Sequence, residues 1–342
     1  GRWAPVQNLT LQYRLGYDTY GMDTRLFIPR GTPNDPDGSV RSGLRDQYLI
    51  NNDLVGSLAI DAAESLALTT TLGMNHTYSR EQNVDASVGD ISLFTELLRG
   101  TVPAVSQNRF ETATLGYFVQ EQLGWRDRFF LTGALRWDAS STYGANERWQ
   151  LYPKLSGSWV VSDEPFWVDG PASWLNSLRL RAALGYARNQ PPVGSAYARF
   201  SLYTQDSNAG RLGLVHEGQA GNPDLRPERQ REVEVGIDAS LLQDRLGVAF
   251  TYYDQYVTDL LLARPFAPST GYDDILHNVG ELTNRGLELE VNTVNLDRPA
   301  FGWQSTLNYS TNKNEVTRLT GNPFSEGYRN RVEEGQPLGA WL

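Results

Sequence analysis

The sequence predicts an all-β chain, part of an antiparallel, up-and-down barrel that crosses a membrane with its strands. Three observations predict it. First, side chains alternate with period two over long stretches, the signature of a strand with one apolar and one polar face. From Glu232, the residues Val233, Val235, Ile237, Ala239 and Leu241 oppose Glu232, Glu234, Gly236 and Asp238. Second, the polar faces carry carboxylates on alternate residues, which suits an apolar outside and a wet inside better than a sandwich core. Third, the connections run long and short in turn, as they do where short periplasmic turns alternate with long extracellular loops.

Composition narrows the classes. The 342 residues carry a net charge of −10, which argues against a phosphate-binding surface and so against nucleic acid. Apolar residues make up 40% of the chain, yet none of its runs reaches the ~18 consecutive positions a membrane helix needs. Barrel strands hide their apolarity in alternation, so a membrane is still allowed. Cysteine is absent, which removes disulfide frameworks, thiolate–zinc sites and thiol catalysis together. Nine Trp, 17 Tyr and 12 Phe form a heavy aromatic load of the kind found at bilayer interfaces. GRWAPVQNLT lacks the basic and apolar regions of a signal peptide, so the reading expects export information upstream.

Taken in order, the first strand runs from Asn8 to about Tyr20, with Leu9, Leu11, Tyr13, Leu15 and Tyr17 on one face. A long polar loop, Met22–Gly43, leads to a second strand at about Leu44–Ile60 and a short turn at Asp61–Glu64. A third strand, Ser65–Arg80, is followed by a long connection, Glu81–Asn108, whose ISLFTELLRG segment suits one or two helical turns. The fourth strand, Arg109–Leu123, turns at Gly124–Asp127 into a fifth, Arg128–Ser140. The sixth, about Trp149–Ser162, and the seventh, around Leu178–Tyr186, precede the longest gap, Asn189–Arg229. The eighth strand turns at Gln243–Asp244 into a ninth with Leu246, Val248, Phe250 and Tyr252 on one face. The tenth sets Leu287, Leu289 and Val291 against Gly286, Glu288 and Glu290. An eleventh strand spans Phe301 to about Glu315, and a twelfth is expected from about Tyr328. Tyr17, Tyr20, Trp137, Tyr186, Tyr252 and Tyr256 fall near outer ends, and Trp125, Phe129, Trp159, Phe166, Trp167, Phe301 and Trp303 near inner ends. Two aromatic girdles are what a membrane barrel requires.

RWDASSTYGANERWQLYPKLSGSWVVSDEPFW (Arg136–Trp167) resembles an R-x-D-x-S-S-x-F-G-x-N-x-R-W segment, and the strand after it, of the SusC/RagA family of TonB-dependent outer-membrane receptors. GNPDLRPE (Gly221–Glu228) resembles its G-N-P-x-L-x-x-E lead-in to a barrel strand. TYYDQYVTDLLL, NVGELTNRGLELE and VEEGQPLGAW (Val332–Trp341) resemble three further motifs in the same order. The resemblance implies a barrel of about 22 strands with a plugged lumen, of which about twelve strands are present here as a single partial barrel domain spanning residues 1–342. The plug domain, the TonB-coupling box and the signal peptide are expected outside this chain. The resemblance implies import of an oligosaccharide or a peptide across the outer membrane of a Gram-negative bacterium. The implied partners are TonB, a SusD-like surface lipoprotein, outer-membrane lipid and a small glycan or peptide ligand. Siderophore or vitamin uptake, a passive porin, a barrel enzyme and a soluble β-sandwich binding module are the alternatives.

Candidate site residues follow from alternation. Arg179, Arg181, Glu232, Glu234, Asp238, Glu288 and Glu290 are expected to line a wet lumen, with Arg285 as a further inward partner for the carboxylates. Tyr143, Trp149, Tyr197, Phe200 and Tyr203 are candidates for stacking on a sugar or peptide. The loop NDPDGS (Asn34–Ser39) has oxygen ligands and a Gly turn that hint at calcium, without the rest of a recognised loop. His76, His216 and His277 stand apart from any catalytic or zinc motif. No catalytic residue, metal or cofactor is therefore expected, and the sequence predicts a transporter rather than an enzyme.

Overall fold

The computed structural model describes the chain except residues 92–95, 144–146, 169–173, 196–199, 205–211, 217, 327–328 and 342. Eighteen strands are formed among the described residues. They are β1 (Arg2–Val6), β2 (Leu9–Ile28), β3 (Ser39–Ala63), β4 (Leu66–Ile91), β5 (Gly100–Trp125), β6 (Phe129–Ser140), β7 (Trp149–Val160) and β8 (Leu175–Asn189). Then come β9 (Phe200–Thr204), β10 (Leu212–His216), β11 (Gln219–Ala220), β12 (Glu228–Leu241), β13 (Leu246–Pro265), β14 (Asp274–Arg298) and β15 (Phe301–Leu319). Short pieces β16 (Phe324–Glu326), β17 (Asn330–Val332) and β18 (Ala340–Trp341) end the chain. Between β7 and β8 a 3-10 turn, Val161–Asp163, leads into a single helical turn, Pro165–Val168.

In the main sheet the hydrogen-bonded order follows the chain from β1 to β8, continues through β12, β13 and β14, and ends on β15. This is the up-and-down meander that the alternating connections predict. The chain divides into two compact units, one made of Gly1–Arg2, Gln12–Val55 and Met74–Gly116, the other of Trp3–Leu11, Gly56–Gly73 and Tyr117–Leu342.

The short turns lie at residues 64–65, 126–128, 242–245 and 299–300. At two of them ordinary residues accept the left-handed conformation: Arg126 and Asp127 have φ 54°, and Leu242, Gln243 and Asp244 have φ 56°, 57° and 63°. Such turns match the right-handed twist of the strands they join.

The long connections are shorter than the sequence suggests. The expected loop Met22–Gly43 reduces to residues 29–38, and Glu81–Asn108 to residues 92–99. The strands continue through EQNVDASVGD and SVRSG, where the apolar side is carried only by Val84, Ala86, Val88 and Val40 among charged, amide and small residues, so the half-apolar face is faint there while the backbone ladder goes on. These extensions enclose a small core in which Val40, Val88 and Ile91 are buried and Phe27 packs against them. Gly38, at φ 69°, closes the turn; a Cβ there would lie 2.8 Å from the Arg30 nitrogen and 2.9 Å from the Ile28 oxygen. Of ISLFTELLRG, expected to form one or two helical turns, residues 92–95 lie outside the described residues; the rest is not helical, since Ile91 ends β4, residues 96–99 are irregular and Gly100 opens β5.

The expected twelfth strand is corrected. In place of the single strand expected from about Tyr328 to the end of the chain, there are three short ones, β16, β17 and β18, in a separate small sheet. Val332 is fully buried there, packed with Leu260, Leu262, Val279, Leu282, Val316 and Leu319. The segment folds back because its apolar residues find this core, and the Val316 amide donates to the Gln336 oxygen at 2.9 Å. Gly and Pro in EEGQPLG also break a continuous ladder.

Candidate functional site: the polar face of β6–β8 and β12–β15

Register places the side chains in rows. Val235 stands beside Ala182 and Tyr252, and Tyr252 beside Leu287. Ile237 stands beside Leu180 and Phe250, and Phe250 beside Leu289. This face is apolar yet uncovered: Val235 is 46% and Ile237 43% exposed. At the short-turn end of the same face Phe129 stacks on Trp159 and lies tilted against Trp125, with ring centroids 5.3 and 5.4 Å apart. An exposed apolar band edged by aromatic rings is the outer surface of a membrane barrel.

The opposite face carries the charge. Asp238 lies beside Arg179, Gly236 beside Arg181 and Thr251, and Thr251 beside Glu288. Arg179 grips Asp238 with Nε at 2.9 Å and Nη2 at 2.7 Å. Arg181 reaches the same carboxylate at 3.4 Å and donates to the Thr251 hydroxyl at 2.6 Å. Gly236 makes this possible, because a Cβ there would sit 2.6 Å from the Arg181 guanidinium carbon. Gly286 does the same for Tyr253, whose hydroxyl a Cβ would overlap. Glu232 accepts from the Gln230 amide at 3.1 Å and the Gln255 amide at 3.0 Å, and Glu290 from Asn292 at 2.6 Å. The residues expected on one wet face, Arg179, Arg181, Glu232, Glu234, Asp238, Glu288 and Glu290, therefore share one face of one sheet. A cleft of ≈ 590 Å3 opens on it, lined among others by Arg136, Tyr152, Lys154, Gln230, Glu232 and Glu234.

Arg285 is corrected. It shares the parity of Leu287 and Leu289, stands opposite Asp254 and binds that carboxylate at 2.6 Å. Two residues further along the same face Arg231 lies 5.7 Å from the centroid of the Tyr256 ring. On β13 and β14, charge on the apolar side begins at this row.

The five aromatic stacking candidates are not brought together. Trp149 lies on the apolar side, 55% exposed, stacked on Tyr117 at 6.2 Å. Tyr143 is only 3% exposed, with its hydroxyl 3.4 Å from that of Tyr152, and burial pushes its phenol pKa up. Neither offers a free ring to a ligand on the polar face. Tyr197 lies outside the described residues; Phe200 and Tyr203 belong to β9, which pairs with β10, and their side chains are not described.

The acidic loop Asn34–Ser39 is already engaged. Arg30 holds Asp90 at 3.1 Å and Asp37 at 3.4 Å, while Asp35 accepts from Ser39 at 2.6 Å. Among the described residues none of the groups of three or more His, Cys, Asp or Glu side chains could hold a metal ion. Of the three histidines, His76 lies 3.5 Å from Asn52 and His277 stands in β14 opposite Leu262, while the side chain of His216 is not described.

Sequence reasoning missed a latch at the foot of the longest connection. Asn278 accepts from the Arg226 amide at 2.9 Å and donates to the Arg226 and Asp259 carbonyls at 2.8 and 2.7 Å. Asn222, buried, donates to the Leu276 carbonyl at 2.9 Å, and Glu228 accepts from the Leu261 amide at 2.8 Å. Asp259, at φ 57°, pairs with Arg226 at 3.2 Å and Arg229 at 3.7 Å. Leu225 is buried beneath them. The signal was there: Asn222, Arg226 and Glu228 are polar residues of NPDLRPE, Asn278 of HNVG and Asp259 of YVTDLLL.

Comparison with known proteins agrees with this geometry. The family model described as "TonB dependent receptor-like, beta-barrel" matches residues 1–337. TonB-dependent receptor P39 of Formosa agariphila is 25% identical over 97% of the chain, which covers 32% of that protein. TonB-dependent receptor SusC of Bacteroides thetaiotaomicron is 27% identical over 66% of the chain and 22% of its own length. The chain thus spans a third or less of these curated relatives. A solved structure of the RagAB peptide transporter superposes over 98% of this chain and 38% of its own, with a TM-score of 0.85 at 23% identity. With an uncovered apolar face, a charged face and a meander of long strands, the chain belongs to the TonB-dependent receptor-like β-barrel family, a barrel wall of the Gram-negative outer membrane.

Proposed function

We propose that this chain forms part of the wall of an active importer that takes a nutrient, an oligosaccharide or a peptide, through the outer membrane. The observation that carries the reading is the two-faced sheet: a charged, hydrogen-bonding face backed by an apolar one. In a closed barrel the face of Arg179, Arg181, Glu232, Glu234, Asp238, Glu288 and Glu290 lines the lumen. Transport needs no bond chemistry from such a wall. It needs a polar path, a ligand site and a coupled plug. TonB acting through the rest of the protein, and a SusD-like surface lipoprotein as lid, are the partners this reading requires. The relatives bearing the names SusC and RagAB support it.

Ligand would be held at the outer ends of the strands, near the Asn189–Arg229 connection and the Ala263–Leu276 hairpin, whose turn spans residues 266–273. The test is growth and uptake by a strain lacking the gene, offered single glycans and defined peptides as sole nutrient. Loss of uptake for one ligand class, restored by the gene but not by a TonB-uncoupled version, is expected. Undiminished uptake of every class would overturn the reading.

A further inference from the structure

β7 and β8 part company halfway along. Their ladder runs from Val160 opposite Arg179 to Lys154 opposite Gly185 and stops there. Both strands continue, β7 on β6 as far as Trp149 opposite Ala139, β8 on β12 as far as Asn189 opposite Glu228. The first residue past the break is Pro153, which has no N–H to give to a neighbouring strand. Higher up, side chains bridge the gap: the Arg188 guanidinium donates to the Gln150 side chain and lies 5.5 Å from the Tyr152 ring centroid. Gln190 accepts from Ser140 at 3.0 Å and Thr142 at 3.2 Å. What remains is a window in the wall, closed below by the ladder and above by these bridges.

Two clefts meet at this window. One, of ≈ 590 Å3, opens on the charged face, and another, of ≈ 400 Å3, on the apolar face. Ala134, Pro153, Lys154, Leu184 and Tyr186 line both. The apolar cleft adds Val119, Leu135 and Leu155. Its floor is open at Gly133, and Gly185 is open beside the window, since a Cβ at either would have nothing within 4 Å. Lys154 is exposed at the window and has neither an ion pair nor a hydrogen bond among the described residues. The nearby Glu232 is occupied by two amides, and on the lipid side the Glu121 carboxylate accepts from Thr70 at 2.6 Å.

We propose that the β7–β8 window is a lateral binding site for a single-chain anionic amphiphile, a fatty-acid carboxylate. Its head group binds the Lys154 ammonium, and its acyl chain passes the seam into the groove of Val119, Leu135, Leu155 and Leu184. The free Lys154 ammonium donates a charge-assisted hydrogen bond to a carboxylate, which is shorter and stronger than one between neutral groups. The seam lies between two neighbouring strands, so it admits one chain rather than the two of a phospholipid. The site does not depend on which nutrient the receptor imports.

The test uses the full-length receptor in maltoside micelles and a palmitate analogue carrying a diazirine midway along its chain. Irradiation is expected to label peptides containing Pro153–Leu155 and Leu184–Tyr186, saturably and in competition with palmitate. Palmitate methyl ester should compete about tenfold more weakly, Lys154→Gln should lower labelling about tenfold, and Lys154→Arg should restore it. Closing the seam with an oxidised Pro153→Cys/Tyr186→Cys pair should block labelling, and reductant should return it. Retained heat-modifiability on gels checks that each variant is folded. Labelling spread evenly round the apolar face, labelling indifferent to Lys154→Gln, or competition by diacyl phosphatidylglycerol equal to that of palmitate would each overturn the proposal.

Discussion

Replacing Asn278 with Ala should loosen the foot of the long connection without unfolding the wall. Asn278 makes three hydrogen bonds of 2.7 to 2.9 Å to backbone groups of Arg226 and Asp259. Each hydrogen bond contributes on the order of 1 kcal/mol net, and the groups left behind regain water only in part, because Leu225 and Pro227 are buried around them. The three share one side chain and are not additive, which gives about 2 kcal/mol for the set. The loss falls on local opening, since β13 and β14 stay paired from Leu246–Thr293 to Pro265–Asp274. Hydrogen exchange of the full receptor in micelles reads it. The Arg226 amide should exchange about 30-fold faster, from about 1.4 kcal/mol per factor of ten, while amides in β12 below Glu232 keep their wild-type rates. Asn278→Asp keeps the acceptor but loses both donors and should fall between the two. Unchanged exchange at Arg226 in the Ala variant would refute the latch.

Other perturbations separate the two faces. Arg at Val235 or Leu289, in the apolar rows, should destabilise the folded receptor by ~2–4 kcal/mol, while Arg at Glu234 or Glu288 should be mild; urea unfolding in micelles measures both. Asp238→Ala leaves Arg179 and Arg181 without their shared carboxylate and should cost more than Arg179→Ala, which leaves Asp238 with Arg181; unfolding midpoints of the two variants check the order. Glu81 is held below the usual carboxylate range by hydrogen bonds from Arg45, at 2.6 Å, and Asn83. Its contribution to stability is therefore present above the ordinary glutamate range and lost as pH falls through the lowered value. Glu81→Gln should accordingly lose less stability on acidification than wild type, read as thermal unfolding from neutral pH downwards.

The strands were legible where one face is apolar and the other polar. That holds for β12, β13 and β14, where GIDASL, GVAFTYY and GLELEV read directly as rows. It weakens in the outer halves of β3 and β4, where SVRSG and EQNVDASVGD offer only Val40, Val84, Ala86 and Val88 as a faint apolar row among charged and amide residues. Charge alone groups Arg285 with Arg179 and Arg181, but its parity sets it with Leu287, and parity governs. The charged face was readable as a set, since period two fixes which residues share it. Its connections were not: that Arg181 bridges Asp238 and Thr251 depends on Gly236 lying between two strands paired far apart in sequence. The β7–β8 window was invisible for the same reason, as Pro153 signals a missing donor without saying which neighbour loses it. Of the aromatic candidates, Tyr143 and Trp149 were chosen by residue type, and burial and strand parity decide against both.

The account rests on which face meets lipid, and site-directed spin labels answer that directly. Labels go one at a time on Val235, Ile237, Phe250, Leu287 and Leu289, and on Glu234, Asp238, Thr251, Glu288 and Glu290, in the full receptor reconstituted in bilayers. Oxygen, which partitions into hydrocarbon, should relax the first five strongly, and a water-soluble nickel chelate the second five. The reverse pattern, or equal access to both sets, would contradict a membrane wall with a polar inner face.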